Sequence, residues 1–155
     1  MLMRRLKKKM KRPRTPWDSA RIEEEDRLMK DFGLRRKREI WRAQEIVRNF
    51  RRRARNLIAV KDEKKTKILL DKLTELGLLQ KGQGLDQVLQ LKVNEILNRR
   101  LQTIVQRKGF AVSMKEARQK ITHGHVYVAG RKMAFPAYIV PAKNEGLITV
   151  KGGAR

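Results

Sequence analysis

The sequence contains no cysteine, few aromatic residues and no long apolar run, and each absence excludes a class of protein. Without cysteine, the chain can form neither a disulfide framework nor a zinc site with thiolate ligands. No apolar stretch approaches the roughly 20 residues that span a bilayer, and the basic N-terminus is not followed by the apolar segment of a secretory signal. The four Phe, two Trp and two Tyr permit only modest cores. These absences predict a cytoplasmic protein that functions within a complex.

Acidic residues are scarce as well. The 155 residues include 16 Asp and Glu against 40 Lys and Arg, which leaves a formal net charge of +24. A small soluble domain ordinarily has a net charge of about 2 to 8 in magnitude, and a much larger excess repels itself in a folded chain unless a polyanion neutralises it. The charge balance therefore favours a polyanionic partner and disfavours an enzyme of small-molecule metabolism.

The positive charge is concentrated toward the two ends of the chain. Residues 1–60 have a net charge of +13, residues 61–90 of +1 and residues 91–155 of +10. Two basic modules are thus predicted on either side of a nearly neutral spacer. The predicted segments are a basic flexible arm (1–14), an Arg-rich helical region (15–90), a second basic module (91–150) and a short tail (151–155).

The first 14 residues predict a basic arm, and the residues after them predict a helix that ends at Gly33. The first 14 residues contain eight basic groups and no acid, which favours contact with phosphates through Arg4, Arg5, Lys7, Lys8, Lys9, Lys11, Arg12 and Arg14. Thr15, Pro16 and Asp18 then predict a helix start, as an N-cap, an N1 proline and an acidic first turn, and Gly33 predicts its end. The acidic run at 23–26 predicts a solvated or Arg-paired face rather than a metal site, because adjacent helical positions point in different directions.

Residues 34–60 predict one long helix. Its apolar residues recur at intervals of three and four and form a single seam, namely Ile40, Ala43, Val47, Phe50, Ala54 and Leu57. Arginines dominate the remaining surface, and Glu39 and Glu45 are too few to neutralise them. A guanidinium fork matches phosphate oxygens and stacks on bases. This surface is therefore predicted to bind nucleic acid through Arg35, Arg36, Arg38, Arg42, Arg51, Arg52, Arg53 and Arg55.

The rest of the chain predicts a packing helix and then a small α+β unit. Residues 62–77 predict an amphipathic helix, and KGQG at 81–84 lacks the full pattern of a nucleotide-binding loop and predicts a turn. The elements predicted after it are a helix over 93–110 with Leu97, Leu101, Ile104 and Val105 on one face, a helix capped by Ser113 and Glu116, a hairpin turning at Ala129-Gly130, and short strands at 138–140 and 147–150. The predicted fold class is α+β, with a mostly α-helical N-terminal region.

The run RRLQTIVQRKGFAVSMKEARQKITHGHVYVAGRKMAFPAY resembles the S-four RNA-binding domain, and the resemblance covers nearly all of residues 94–150. The matching elements occur in order and include Arg100-Leu101, Glu116-Ala117-Arg118, His123-Gly124-His125, Gly130-Arg131 and Pro136. The segments TPWDSARIEEEDRLMKDFGLRRKREIWRAQEIVRNFRRRARNLIA and LDQVLQLKVNEILNRRLQT are similar to the archaeal and eukaryotic branch of the small-subunit ribosomal protein S-four family. This chain lacks the zinc-binding cysteines that bacterial relatives often have.

The resemblance implies a structural protein of the small ribosomal subunit and not an enzyme. It implies direct binding to small-subunit ribosomal RNA at a multi-helix junction of the 5′ domain, early in assembly. It also implies a position beside other ribosomal proteins near the channel through which messenger RNA enters, with the messenger contacted in passing. By position it assigns RNA contacts to Arg100, Lys115, Arg118, Lys120, His123, His125, Arg131 and Lys132, with Arg100 and Arg118 the strongest. No cofactor, metal, membrane, small-molecule substrate or homo-oligomer is implied.

The residue types agree with RNA as the partner. A-form RNA hides its base edges, so proteins grip its phosphates and its shape, and Trp41 and Tyr127 are expected to pack rather than to stack on bases. His123 and His125 have no carboxylate or nucleophile beside them, so they fit a helix C-terminus or a contact with the RNA backbone better than a metal or catalytic site. The alternatives are a non-ribosomal RNA-binding factor that uses an S-four domain, an RNA-modifying enzyme with this domain as an appendage, and a DNA-compacting protein.

Overall fold

The computed structural model describes residues 10–151, which form eight α-helices and one three-stranded antiparallel sheet. The predicted α+β fold class is confirmed, with the strands confined to the C-terminal part. The elements are α1 (Ser19–Asp31), α2 (Lys37–Val60), α3 (Glu63–Glu75), α4 (Leu85–Gln90), α5 (Val93–Asn98), α6 (Leu101–Arg107), α7 (Met114–Thr122), β1 (Val126–Val128), β2 (Arg131–Lys132), α8 (Ala142–Glu145) and β3 (Ile148–Val150). Within the described range, no helix is both long and apolar enough to cross a membrane.

The helix α1 begins later than the sequence predicted. Asp18 is itself the N-cap, and its carboxylate accepts a hydrogen bond from the backbone N–H of Arg21 at 3.3 Å. Thr15 and Pro16 lie before the helix, and their carbonyl oxygens accept hydrogen bonds from the Arg21 guanidinium. The prediction of Thr15 as the cap was therefore wrong, because the carboxylate of Asp18 satisfies the first turn instead.

The helix α2 is the long helix predicted from the apolar seam. Ile40, Ala43, Val47, Phe50 and Ala54 are all buried, and Leu57 packs against the same core from a partly buried position. Side chains from the neighbouring helices and loops complete this first core, namely Leu34, Leu69, Leu73, Leu79, Val88, Leu91, Ile96 and Leu97. Its 24 residues make a rod about 36 Å long, one face of which the core holds in place.

The single helix predicted over residues 93–110 is two helices, so the prediction was wrong at Arg99 and Arg100. Arg100 is extended, with φ −72° and ψ 142°, and forms an antiparallel backbone pair with Ile139. Beside this pair, the Val140 N–H donates to the Arg99 carbonyl oxygen at 2.9 Å. Backbone groups that bond across to another segment cannot also continue a helical ladder, and the helix therefore breaks here.

This break divides one predicted apolar face between two cores. Leu97 belongs to the first core, whereas Leu101, Ile104 and Val105 belong to a second core beneath α7 and the sheet. Residues 138–140, predicted as a strand of the sheet, pair with Arg100 and lie outside the sheet. The strand prediction was therefore wrong in its partner, because the break between α5 and α6 exposes backbone groups that this segment satisfies.

The second core is closed by α7 and the sheet, much as the sequence predicted. Ser113 accepts a hydrogen bond from the Glu116 N–H at 3.2 Å, and the Glu116 carboxylate accepts one from the Val112 N–H at 2.7 Å, a close variant of the predicted capping box. Ala129 and Gly130 both have positive φ, as a two-residue type I′ hairpin turn requires. β1 is the central strand, between β2 and β3.

Candidate nucleic-acid interface

The outward side of α2 and the loop before it form a surface of exposed arginines, which we call the α2 arginine surface. Its members are Arg35, Arg36, Arg38, Arg42, Arg48, Arg52, Arg53 and Arg55. Among the described residues, Arg48 is the one member in a salt bridge, with Glu45 at 2.6 Å. The surface thus presents guanidinium groups in a fixed order along a rigid helix, without carboxylates to neutralise most of them.

Arg51 has a different position from the other predicted contacts on α2. Its side chain is half-buried, and its guanidinium donates to the Leu91 carbonyl oxygen at 2.5 Å. This bond joins α2 to the turn between α4 and α5. Of the predicted arm, Lys11, Arg12 and Arg14 are exposed, whereas Arg4, Arg5, Lys7, Lys8 and Lys9 lie outside the described residues.

One carboxylate of the acidic run in α1 is buried, which the sequence did not predict. Glu25 is only 2% exposed, and its Oε1 accepts hydrogen bonds from Arg21 at 2.6 Å and from the indole N–H of Trp41 at 2.9 Å. Lys37 lies 3.8 Å from the other oxygen and pairs with Asp26 at 2.9 Å. The expected Arg-paired acid is present, but it is a buried link between α1 and α2.

The two arginines predicted as the strongest RNA contacts meet at Glu39. Arg100 donates to Glu39 Oε2 and Arg118 donates to Glu39 Oε1, the latter at 2.8 Å. Arg118 also donates to the Gly33 carbonyl oxygen at 3.2 Å. We call Glu39, Arg100, Arg118, Gln102 and the Gly33 carbonyl the Glu39 cluster. It joins the N-terminal end of α2 to the C-terminal module.

Burial and the two arginines have opposite effects on the pKa of Glu39. Burial raises the pKa of Glu39, but the hydrogen bonds and charges of Arg100 and Arg118 outweigh it and hold that pKa below its ordinary value. Arg100 is 4% exposed, and the side chain of Arg118 is 24% exposed. Both guanidinium groups therefore have an internal role that the sequence did not reveal, and contact with RNA through them stays a prediction.

Gln102 completes the cluster and brings the two modules into close approach. This buried side chain donates to the carbonyl oxygens of Met114 at 2.9 Å and Gly33 at 3.1 Å. Gly33 has φ +55°, and a Cβ added there would lie 2.4 Å from the Cβ of Met114. Only glycine fits this turn without displacing α7.

We expect Gly33→Ala to lower the free energy of unfolding by about 2 to 3 kcal/mol, because it combines left-handed backbone strain with overpacking. Gly82→Ala is the matched control, since Gly82 has φ +88° but no atom within 4 Å of its added Cβ, and should cost about 1 kcal/mol. Urea unfolding followed by circular dichroism measures both. Equal losses would contradict the close approach at Gly33.

A second basic surface covers α7 and the hairpin, which we call the α7 surface. Its exposed members are Lys115, His123, His125, Arg131 and Lys132. The stem of Lys132 crosses Gly124 so closely that an added Cβ would lie 2.0 Å from its Cε. The rings of His123 and His125 are nearly parallel, with centroids 6.3 Å apart, and they border a shallow hollow of about 340 Å³. The hairpin thus brings Lys132 beside the C-terminal end of α7, where His123 and His125 lie, while Lys115 lies at the start of the same helix.

Lys120 has protein partners on its own helix and loop. Its ammonium group lies 2.8 Å from the Glu116 carboxylate and donates to the Phe110 carbonyl oxygen at 2.8 Å. The bond from Lys120, with that from the Val112 N–H, lowers the pKa of Glu116. Lys120 therefore stabilises the start of α7, and its contact with RNA stays a prediction.

Among residues 10–151, no three His, Asp or Glu side chains are grouped closely enough to hold a metal ion. Trp41 packs partly against the first core, as expected, whereas Tyr127 is half-buried and has the ammonium group of Lys151 5.1 Å from its ring centre.

The C-terminal module is of a known class. Residues 99–145 match the family model of the S4 domain, the S-four RNA-binding domain that the sequence resembles. The match begins at the break between α5 and α6 and spans most of the second core. The protein is thus one that contains an S4 domain.

Relatives that extend over almost the whole chain identify the family. The chain is 47% identical to small ribosomal subunit protein uS4 of Ignicoccus hospitalis, over 94% of this chain and 89% of that protein. It is 46% identical to uS4 of Korarchaeum cryptofilum, over 94% and 89% of the two chains, and 44% identical to uS4 of Thermoplasma acidophilum, over 91% and 74%. The chain therefore belongs to the family of small ribosomal subunit protein uS4. The archaeal and eukaryotic branch inferred from the sequence is confirmed by these archaeal relatives, and the shared name is that of a ribosomal protein and not of an enzyme.

Proposed function

We propose that this chain is a structural constituent of the small ribosomal subunit in the cytoplasm and binds small-subunit ribosomal RNA directly. The binding site is a multi-helix junction of the 5′ domain, occupied early in subunit assembly. In the mature subunit the protein lies near the channel through which messenger RNA enters, beside other ribosomal proteins. The observation that carries this proposal is the 47% identity to a uS4 protein over 94% of the chain.

The geometry supports a junction rather than a single RNA helix. The α2 arginine surface belongs to a helix packed on the first core, and the α7 surface belongs to the S4 domain. The Glu39 cluster fixes the two modules to each other, because Glu39 of α2 bonds to Arg100, just before α6, and to Arg118 of α7. Two basic surfaces on one rigid frame can hold phosphates of different RNA helices at a set angle, which is recognition by shape and charge.

The proposal keeps the predicted division into an Arg-rich helical region over 15–90 and an S4-type domain over 91–150. The first core extends past that boundary to Leu97, and the second core begins with Leu101. The exposed members of the two basic surfaces make the primary RNA contacts. For Arg100 and Arg118 to touch phosphate, RNA would have to draw them from Glu39 or use the donors that Glu39 leaves free, since a guanidinium has five N–H groups.

An RNA-binding factor outside the mature ribosome is the alternative, since an S4 domain alone would serve it. The relatives match the N-terminal helices as well as the domain, which favours the ribosomal role. Sedimentation of cell extract through a high-salt gradient tests it. We expect the protein to migrate with small subunits after the wash, and its absence from washed subunits would contradict the proposed function.

A further inference from the structure

A hollow of about 480 Å³ lies at the N-terminal end of α2. Five residues line it, namely Arg12, Arg36, Lys37, Arg38 and Trp41. The lining combines one large aromatic ring with four cationic side chains, and it brings a residue of the arm beside residues of the long helix.

The tryptophan is held in place from within the protein. Its indole N–H donates to Glu25 Oε1 at 2.9 Å, and that oxygen also accepts from Arg21 at 2.6 Å. Glu25 is 2% exposed, so this anchor is shielded from water. One part of the Trp41 ring packs against the first core and another borders the hollow. The ring is therefore a fixed platform.

The four cations around the ring differ in whether a carboxylate of the protein already pairs with them. Lys37 pairs with Asp26 at 2.9 Å and lies 3.8 Å from Glu25. By contrast, no salt bridge within residues 10–151 involves Arg12, Arg36 or Arg38, and all three are exposed. Three guanidinium groups beside one aromatic surface suit a ligand that has both a flat ring and phosphate oxygens.

We infer that this hollow binds a single unpaired nucleotide of RNA, with its base stacked on Trp41 and its flanking phosphates held by Arg12, Arg36 and Arg38. A base within a duplex is already stacked on its neighbours, so the ligand is a bulged, looped or terminal nucleotide. The inference deepens the proposed RNA-binding function and rests on it. It adds a base contact to a surface otherwise limited to phosphates.

The two tryptophans of the chain make a direct test possible. In the full chain with Trp17→Phe, Trp41 is the sole tryptophan and reports on the hollow by its fluorescence. We expect a single-stranded RNA pentanucleotide to quench it in a saturable titration. Pyrophosphate and a blunt RNA duplex without unpaired bases should quench it far less, because neither offers a free base. Equal quenching by pyrophosphate or by the duplex would overturn the inference, as would no quenching by the pentanucleotide.

Substitutions extend the test to affinity, measured by the anisotropy of a labelled pentanucleotide. Trp41→Leu should weaken binding roughly 5- to 150-fold, the range for losing one stacked base, and Trp41→Phe should restore most of it. Arg12→Gln, which lies outside the helices and leaves the Glu25 anchor intact, should also weaken binding. Lys64→Gln is the control of equal charge, because Lys64 is exposed on α3, outside both basic surfaces, and it should change little. Equal effects of Arg12→Gln and Lys64→Gln would overturn the site.

A failure of the nucleotide site can be distinguished from a failure of the proposed ribosomal function. If the protein migrates with washed small subunits but Trp41 does not respond to the pentanucleotide, only the nucleotide site is wrong. If the protein is absent from small subunits while Trp41 responds, the ribosomal role is wrong and the nucleotide site stands.

Discussion

Glu39→Gln should lower the free energy of unfolding by about 3 kcal/mol or more, the lower end of the range for a buried ion pair that loses one partner. The carboxylate serves two arginines at once, and Arg100 is only 4% exposed. An amide in its place presents an N–H group to guanidinium donors and leaves the Arg100 charge buried without an anion. Urea unfolding followed by circular dichroism gives the value.

Glu45→Gln is the matched control for this substitution. It removes a carboxylate from the same helix and breaks the pair with Arg48 at 2.6 Å, but the Arg48 side chain is 52% exposed. Exposed pairs contribute about 0 to 1 kcal/mol. If both substitutions cost the same small amount, the Glu39 cluster does not hold the modules together.

The effect of Glu39→Gln should also depend on pH in a set direction. The pKa of Glu39 is lowered in the folded protein, since Arg100 and Arg118 outweigh the effect of burial. A lowered pKa contributes stability that is complete above the pKa of the unfolded chain and is lost as pH falls through the folded pKa. The difference between wild type and variant should therefore be constant near neutral pH and shrink in acid. A difference that grows in acid would contradict the cluster's charge state.

Replacing Arg42, Arg52, Arg53 and Arg55 together by Gln should reduce both the affinity for RNA and its dependence on salt. All four are exposed, and none is in a salt bridge among the described residues. Each lost phosphate contact lowers the log–log salt slope by about 0.7 to 0.9, so the slope should fall by about 2.8 to 3.6. Between about 50 and 200 mM salt, the factor by which the affinity of the variant falls should be roughly 50 to 150 times smaller than the factor for the wild type. Filter binding to a transcript of the 5′ domain measures this.

The nearly neutral spacer supplies a control of equal charge. Lys61, Lys64, Lys67 and Lys72 are exposed and lie on or beside α3, and no salt bridge of the described residues includes them. Their replacement by Gln removes the same four charges but should leave the salt slope nearly unchanged. An equal fall in both variants would mean that net charge alone, and not the α2 arginine surface, binds the RNA.

Local patterns in the sequence predicted the elements whose causes are local. The spacing of Ile40, Val47 and Phe50 predicted the buried seam of α2 because helical periodicity acts over a few residues. The Ser113 cap and the Ala129-Gly130 turn were predicted for the same reason. The helix over 93–110 was mispredicted because Arg99 and Arg100 satisfy their backbone with residues 138–140, about 40 positions further along the chain.

The basic surfaces were predictable only in part. Exposed arginines on α2 follow from periodicity, because a position away from the apolar seam faces outward. Arg100 and Arg118 were expected to face RNA, yet their guanidinium groups meet Glu39, which lies 61 and 79 positions away. Glu25 and Trp41, 16 positions apart on different helices, were equally beyond local patterns. Spacing within one helix can indicate pairs such as Arg21 and Glu25, but it cannot indicate an acid–arginine pair that forms between two elements.

The sequence by itself determined the charge of +24, its division between two ends of the chain, the absence of thiolate chemistry and, by resemblance, the family. Those properties depend only on which residues are present and in what local order. Only the tertiary structure decided that Arg100 and Arg118 hold two modules together while most outward arginines of α2 have no carboxylate partner among the described residues. The reason is that an ion pair between distant residues forms or fails according to how the modules pack, and packing brings Glu39 to both arginines at once.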